Sequence, residues 1–155
     1  GPAARDDVAV LRTFSKAYGL AGVRLGYAVV PEAWAGAYAR VNTPFAANIL
    51  ACRAGLAALS DDEHVERSVE TAVWSREYMA ERVERPTYES HANFLLIDVG
   101  DAAAVAGALR ERGVIVRDCT SFGLPDCVRV TCGTEAETER AVRELNAVLD
   151  DGAGE

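Results

Sequence analysis

Lys16 is the only lysine in the chain, and the other fifteen of the sixteen Lys+Arg residues are arginine. Whatever exchanges lysine for arginine elsewhere does not act at position 16. Arginine matches lysine for solvation or ion pairing, but it cannot form a Schiff base with a carbonyl, so the retained residue points to amine chemistry. Lys16 follows the apolar run Val8-Ala9-Val10-Leu11, which reads as a strand buried on both faces. At the C-terminal edge of a parallel sheet, side chains emerge into the crevice where ligands bind. A lysine partly desolvated there and close to other cations is a nucleophile toward carbonyls. Thr13 and Ser15 offer hydroxyls nearby, and Arg24 offers a planar fork suited to phosphate. Gly19, Gly22 and Gly26 let backbone come close to an anion. Together these residues describe a site for a phosphorylated aldehyde: Thr13, Ser15 and Arg24 hold the phosphate while Lys16 meets the carbonyl carbon. Pyridoxal phosphate, an electron sink carried on a lysine, is such a molecule.

A second group of cations lies later. In Cys127-Val128-Arg129-Val130-Thr131, alternation places Arg129 and Thr131 on the face opposite Val128 and Val130. An arginine facing a cleft can fork onto a carboxylate or phosphate. Arg117 ends the neighbouring strand-like segment and can add a second anion contact, or else pair with Asp118 or Asp126. Tyr18 and Tyr27 read as packing residues, and Trp34 and Trp74 as helix-face core. His64 and His91 have no catalytic partner in the sequence.

Several elements must position these groups. Val23 to Val30 reads as a second strand ending at Pro31. The Ala-rich stretch to Leu59 is helical, broken around Asn42-Thr43-Pro44. Asp61 to Val83 is the clearest helix, with Val65, Val69, Val73, Met79 and Val83 near the 3.6-residue period. Strand-like Asn93–Val99 precedes a helix over Asp101–Arg112 that Gly113 closes. Val114–Arg117 and Cys127–Thr131 are further strands. Thr134-x-x-Glu137 is a capping box that opens the last helix. The class is α/β.

Residues 13–27, Thr-Phe-Ser-Lys-Ala-Tyr-Gly-Leu-Ala-Gly-Val-Arg-Leu-Gly-Tyr, resemble the lysine motif of fold-type I pyridoxal-phosphate aminotransferases of class I/II. The motif is most similar to that of histidinol-phosphate aminotransferases. The likeness extends to Ala92-Asn93-Phe94-Leu95-Leu96, to Val116-Arg117-Asp118, and to Val128-Arg129-Val130-Thr131-Cys132-Gly133-Thr134-Glu135.

The resemblance implies Lys16 as the catalytic lysine and proton carrier. It implies Thr13, Ser15 and Arg24 around the cofactor phosphate, and Arg117 and Arg129 on the substrates' anionic groups. In this family the Asp on the pyridine nitrogen, the stacked aromatic ring and an Asp-Glu-Ala-Tyr segment precede the lysine, and only fifteen residues do so here. The implied organisation is a C-terminal portion. Residues 1–60 end a large parallel-sheet domain, 61–87 form a connecting helix, 88–150 a complete small α/β domain, and 151–155 a disordered tail. The 155 residues alone are expected to be inactive or nearly so. The implied reaction is ping-pong transamination between histidinol phosphate and 2-oxoglutarate in histidine biosynthesis, by a cytoplasmic homodimer. Another class I/II aminotransferase for aromatic substrates, a threonine-phosphate decarboxylase-like enzyme, or a non-catalytic interaction module are the alternatives.

Composition agrees in what it excludes. A net charge of −8, from 24 Asp+Glu against 16 Lys+Arg, is wrong for a nucleic-acid backbone or an anionic membrane. No apolar run approaches the roughly 20 residues of a membrane span. Cys52, Cys119, Cys127 and Cys132 form no C-x-x-C pair, and with the histidines far apart no metal site is expected. Cys119, Cys127 and Cys132 read as buried, reduced thiols. The acidic, lysine-poor balance fits either a protein adapted to a high-salt cytoplasm or plain codon bias.

Overall fold

The computed structural model describes residues 5–152. The chain divides into two compact units, one ending at Ser68 and the other beginning at Val69.

In the first unit, strands β1 (Val10–Thr13) and β2 (Gly26–Val29) pair antiparallel, with Val10 opposite Val29 and Thr13 opposite Gly26. These two strands are thus antiparallel to each other, and the described residues do not bury Val10–Thr13 on both faces. Within residues 5–68 these two strands form a sheet by themselves, and most of their residues, Leu11 and Tyr27 included, are exposed. The strand expected from Val23 begins instead at Gly26: Val23 ends a 3-10 turn, Ala21–Val23, and Arg24 takes a left-handed conformation with φ 59°. Helices α1 (Glu32–Val41) and α2 (Ile49–Ala58) follow, separated where Pro44 interrupts the Ala-rich stretch. Asn48 caps α2 by accepting from the Ala51 N–H at 2.8 Å. Every residue of α1 is exposed, so Trp34 is not core. Phe14 and Ala51 are the buried hydrophobic residues described up to Ser68.

Helix α3 (Asp62–Arg82) crosses the division between the units. From Val69 onward it is more than a connector, because Met79 and the following Val83 belong to the second unit's core. Trp74 is half-buried and stacks on Tyr78 at 5.1 Å. The C-terminal end of α3 is tied down: Asn146 Nδ2 donates to the Arg82 carbonyl at 2.8 Å.

The second unit is built on an antiparallel sheet in the order β3-β4-β6-β5. Its strands are β3 (Thr87–Tyr88), β4 (Phe94–Asp98), β5 (Arg117–Asp118) and β6 (Cys127–Thr131). Leu95 opposite Val130 and Ile97 opposite Val128 turn one face toward the core. Helix α4 (Ala102–Glu111) adds Val105 and Leu109, and helix α5 (Glu135–Gly152) adds Val142 and Leu145.

Gly113 ends α4 in the left-handed region at φ 74°, as its position in the sequence requires. Val114–Val116 are not strand: the Val114 N–H donates back to Leu109 C=O at 2.9 Å, which completes the helix terminus, and Ile115 points to solvent. Asp151 and Gly152, expected in a tail at 151–155, belong to helix α5, and Asp151 pairs with Arg112 at 2.6 Å. Residues 153–155 lie outside the described residues.

Candidate functional site

Within the first unit, the β1–β2 register gathers the lysine group. Thr13 faces Gly26, and the Phe14 N–H donates to Leu25 C=O at 3.1 Å. Ser15 and Arg24 thus stand one step beyond that bond, on the two arms of the same hairpin. Gly26 is required there, because a β-carbon would lie 2.7 Å from the Arg12 carbonyl oxygen. Thr13 Oγ1 donates to Ser15 Oγ at 2.9 Å and accepts from the Ser15 N–H at 3.1 Å, a local turn that holds both hydroxyls together.

Arg24 Nη1 donates to Ala21 C=O at 2.6 Å, which fixes one end of the guanidinium and leaves the rest of the fork exposed. A non-glycine residue held left-handed costs about 1–3 kcal/mol, a strain that collects at ligand clamps. Arg24, Leu25, Gly26, Tyr38, Asn42 and Phe45 border an open concavity of about 640 Å³.

Lys16 opens a reverse turn closed by the Gly19 N–H donating to its carbonyl at 2.8 Å, with the Tyr18 ring 4.8 Å from that of Phe14. Tyr18 therefore packs, as expected, whereas Tyr27 is exposed. The lysine itself is exposed, not partly desolvated as its place after an apolar run suggested. The two strands bury little.

Within the second unit, Arg117 and Arg129 stand directly opposite each other across β5 and β6. Like charges so placed repel, yet neither makes an ion pair among the described residues. Each is supported by an aromatic ring instead: Arg129 lies 5.0 Å over Phe94 and Arg117 5.3 Å over Phe122. Arg129 Nε is buried without a hydrogen-bond partner.

Asp118 does not neutralise Arg117. It accepts from the Thr120 hydroxyl at 2.6 Å and the Thr120 N–H at 2.8 Å, and these bonds, more than the nearby arginine, hold its carboxyl below the usual range. Two uncompensated guanidinium groups on one sheet face, one with an orphaned donor, are an arrangement that an anion completes.

The sequence reading missed the two phenylalanines. Arg129 and Phe94 sit on neighbouring strands of one face, but only the register, with Leu96 opposite Arg129, reveals it.

Of the four cysteines, all free thiols, Cys52 is exposed, Cys119 and Cys127 are buried and Cys132 is half-buried. Burial pushes the thiols of Cys127 and Cys132 up, keeping them protonated. No cluster of metal-ligating side chains occurs among the described residues, and no described helix is long and apolar enough to cross a membrane.

Comparison with known proteins follows the same lines. The model of the family "Aminotransferase class I and II" matches residues 2–145. The chain is 69% identical over 147 residues to the histidinol-phosphate aminotransferase of Haloarcula marismortui, covering 95% of this chain and 41% of that protein. It is 70% identical over 145 residues to the enzyme of that name from Natronomonas pharaonis, covering 94% and 41%. It thus spans about two-fifths of the length of these relatives. Among solved structures it resembles the histidinol-phosphate aminotransferase of Sinorhizobium meliloti in complex with pyridoxal-5'-phosphate. The TM-score is 0.83 at 27% identity, over 96% of this chain and 42% of that one.

Proposed function

The chain belongs to the class I and II aminotransferases, and from that premise we propose that it supplies the lysine, the phosphate cradle and the anion-binding arginines of a histidinol-phosphate aminotransferase. The cofactor is pyridoxal phosphate. The observation that carries the reading is the retention of one lysine, at the turn that the hairpin places between the Thr13–Ser15 hydroxyls and Arg24.

The donor set fits the group. Thr13 and Ser15 offer neutral hydroxyls, and Arg24 offers the free side of a fixed fork, as a phosphate dianion requires. The bound cofactor supplies an electron sink for carbanion chemistry at the substrate's α-carbon. Lys16 Nζ would hold the cofactor through its carbonyl carbon. The same Nζ would take up and return the substrate's α-proton. Arg117 and Arg129 bind the phosphate or carboxylate of donor and acceptor. The overall reaction moves the amino group of histidinol phosphate to 2-oxoglutarate, in a cytoplasmic homodimer.

The 155 residues alone are expected to show no steady turnover with added pyridoxal phosphate. The activity test is a chimera in which this chain replaces the matching segment of its 69% identical relative. The expected result is transamination of histidinol phosphate well ahead of phenylalanine, abolished by Lys16→Arg. Preference for phenylalanine would redirect the reading to an aromatic aminotransferase, and persistent turnover in Lys16→Arg would remove the lysine's role.

A further inference from the structure

The turn that carries Lys16 has a neighbour on α3 that the proposed chemistry does not use. Two bonds close the turn, Gly19 N–H to Lys16 C=O at 2.8 Å and Leu20 N–H to Phe14 C=O at 2.9 Å. Gly19 adopts φ 68°, in the left-handed region. Against its α-carbon lies the imidazole of His64. A β-carbon at position 19 would meet His64 Nε2 at 3.6 Å and Cε1 at 4.0 Å, with nothing else within 4 Å. Among the described residues, apart from Gly19's chain neighbours, the ring is therefore the group against that side of the turn.

His64 is itself held. Its backbone N–H donates to Asp61 Oδ1 at 3.1 Å at the start of α3. Its half-buried ring places Nε2 3.4 Å from Ser68 Oγ, one helical turn along. A short reverse turn whose far end is glycine has little stiffness of its own. An anchored ring against that glycine restricts where the turn's first residue can sit.

We propose that His64 is a positioning residue for Lys16: through Gly19, its imidazole fixes the turn on which the reactive amine is mounted. The consequence for catalysis rests on the function proposed above, but the contact and its effect on Lys16 do not.

The lone lysine makes the test specific. Reductive methylation with carbon-13 formaldehyde labels Lys16 and the amino terminus, so the dimethyl-lysine signal of the full 155-residue chain reports one side chain. The Gly19 amide cross-peak reports the turn, and the amides of Leu11 and Ala28 on β1 and β2 serve as a reference for the hairpin. In His64→Ala, the Lys16 and Gly19 signals should move toward random-coil positions while Leu11 and Ala28 stay. In His64→Gln, whose amide can still reach Ser68 and cover Gly19, the Lys16 signal should return to its wild-type position. A Lys16 signal that is the same in all three proteins overturns the proposal. So does a shift in His64→Ala that His64→Gln fails to restore, since filling the space is then not enough to position the turn. Should His64→Ala unfold by circular dichroism, His64→Ser, which vacates the space against Gly19 but keeps a polar group, takes its place. The Lys16 signal should then move as expected for His64→Ala, and an unmoved signal overturns the proposal. None of these readouts involves cofactor or turnover, so failure of the proposed function leaves the result intact and the reverse also holds.

Discussion

Arg129 shows how a single residue can be poorly placed for stability and well placed for binding. Its Nε is buried without a partner, and its charge faces Arg117 across the strands. An unmade buried hydrogen bond costs about 1–3 kcal/mol, and the stack on Phe94 returns only part of this. Arg129→Leu removes both the orphaned donor and the repulsion while keeping an apolar contact with Phe94. The expected outcome has opposite signs. The denaturant midpoint of the chain should hold or rise. Binding of the anionic substrate in the chimera should weaken by about 2–5 kcal/mol, at least roughly 30-fold in KM. Stability lost with KM unchanged would make Arg129 a structural residue. Arg117, exposed on a two-residue strand, should show a smaller effect in the same direction when changed to alanine.

At the scale of elements, legibility in the sequence followed how local each signal is. The capping box is complete within four residues and appears as expected: the Thr134 N–H donates to Glu137 Oε2 at 2.8 Å, and the Glu137 N–H to Thr134 Oγ1 at 3.4 Å. These bonds hold the Glu137 carboxyl below the usual range. A folded-state depression contributes stability above the ordinary carboxylate range and loses it as pH falls through the folded value. Thr134→Ala should therefore cost about 0.5–2 kcal/mol at neutral pH and flatten the stability–pH curve of the second unit in acid; an unchanged curve would show the box to be energetically idle. Gly113 was legible for the same local reason.

Strands were not legible in this way, because apolar runs do not name their partners. Val8–Leu11 looked buried from its composition, yet the pairing that decides its exposure is made with residues 26–29. That same pairing makes Gly26 sensitive. Gly26→Ala pushes a β-carbon toward the Arg12 carbonyl, and a cost of about 1–3 kcal/mol is expected, read as faster amide exchange at Thr13 and Phe14. The lysine group was visible as residue types, whereas its exposure and its histidine neighbour needed the fold.

Across the whole molecule, apolar burial and charge are unevenly distributed, and both decide how the chain behaves. Residues 5–68 bury Phe14 and Ala51 but leave Leu11, Phe45, Ile49 and Leu50 largely in solvent, whereas residues 69–152 enclose a continuous core. Hydrogen exchange should therefore be fast through the first unit and slow in β4, β6 and α5 of the second. Equal protection of the two would contradict the burial pattern. Charge acts in the same direction. The net −8 includes carboxylates exposed along α3, such as Glu66, Glu70, Glu77 and Glu81, and along α5, such as Glu135 and Glu139. Self-repulsion among exposed carboxylates opposes compaction, and salt removes it as the Debye length falls from about 10 Å at 0.1 M to about 3 Å at 1 M. Surface arginines such as Arg67 and Arg143 already pair with neighbouring glutamates, so the excess acid is left for solvent cations to balance. The thermal midpoint should therefore rise between 0.1 M and 2 M KCl, with most of the gain below 1 M if screening is the cause. A rise that continues steeply in multimolar salt would instead indicate strengthened burial of apolar surface. A midpoint that does not move would reduce the acidity, and the exchange of lysine for arginine with it, to coding bias without physical consequence.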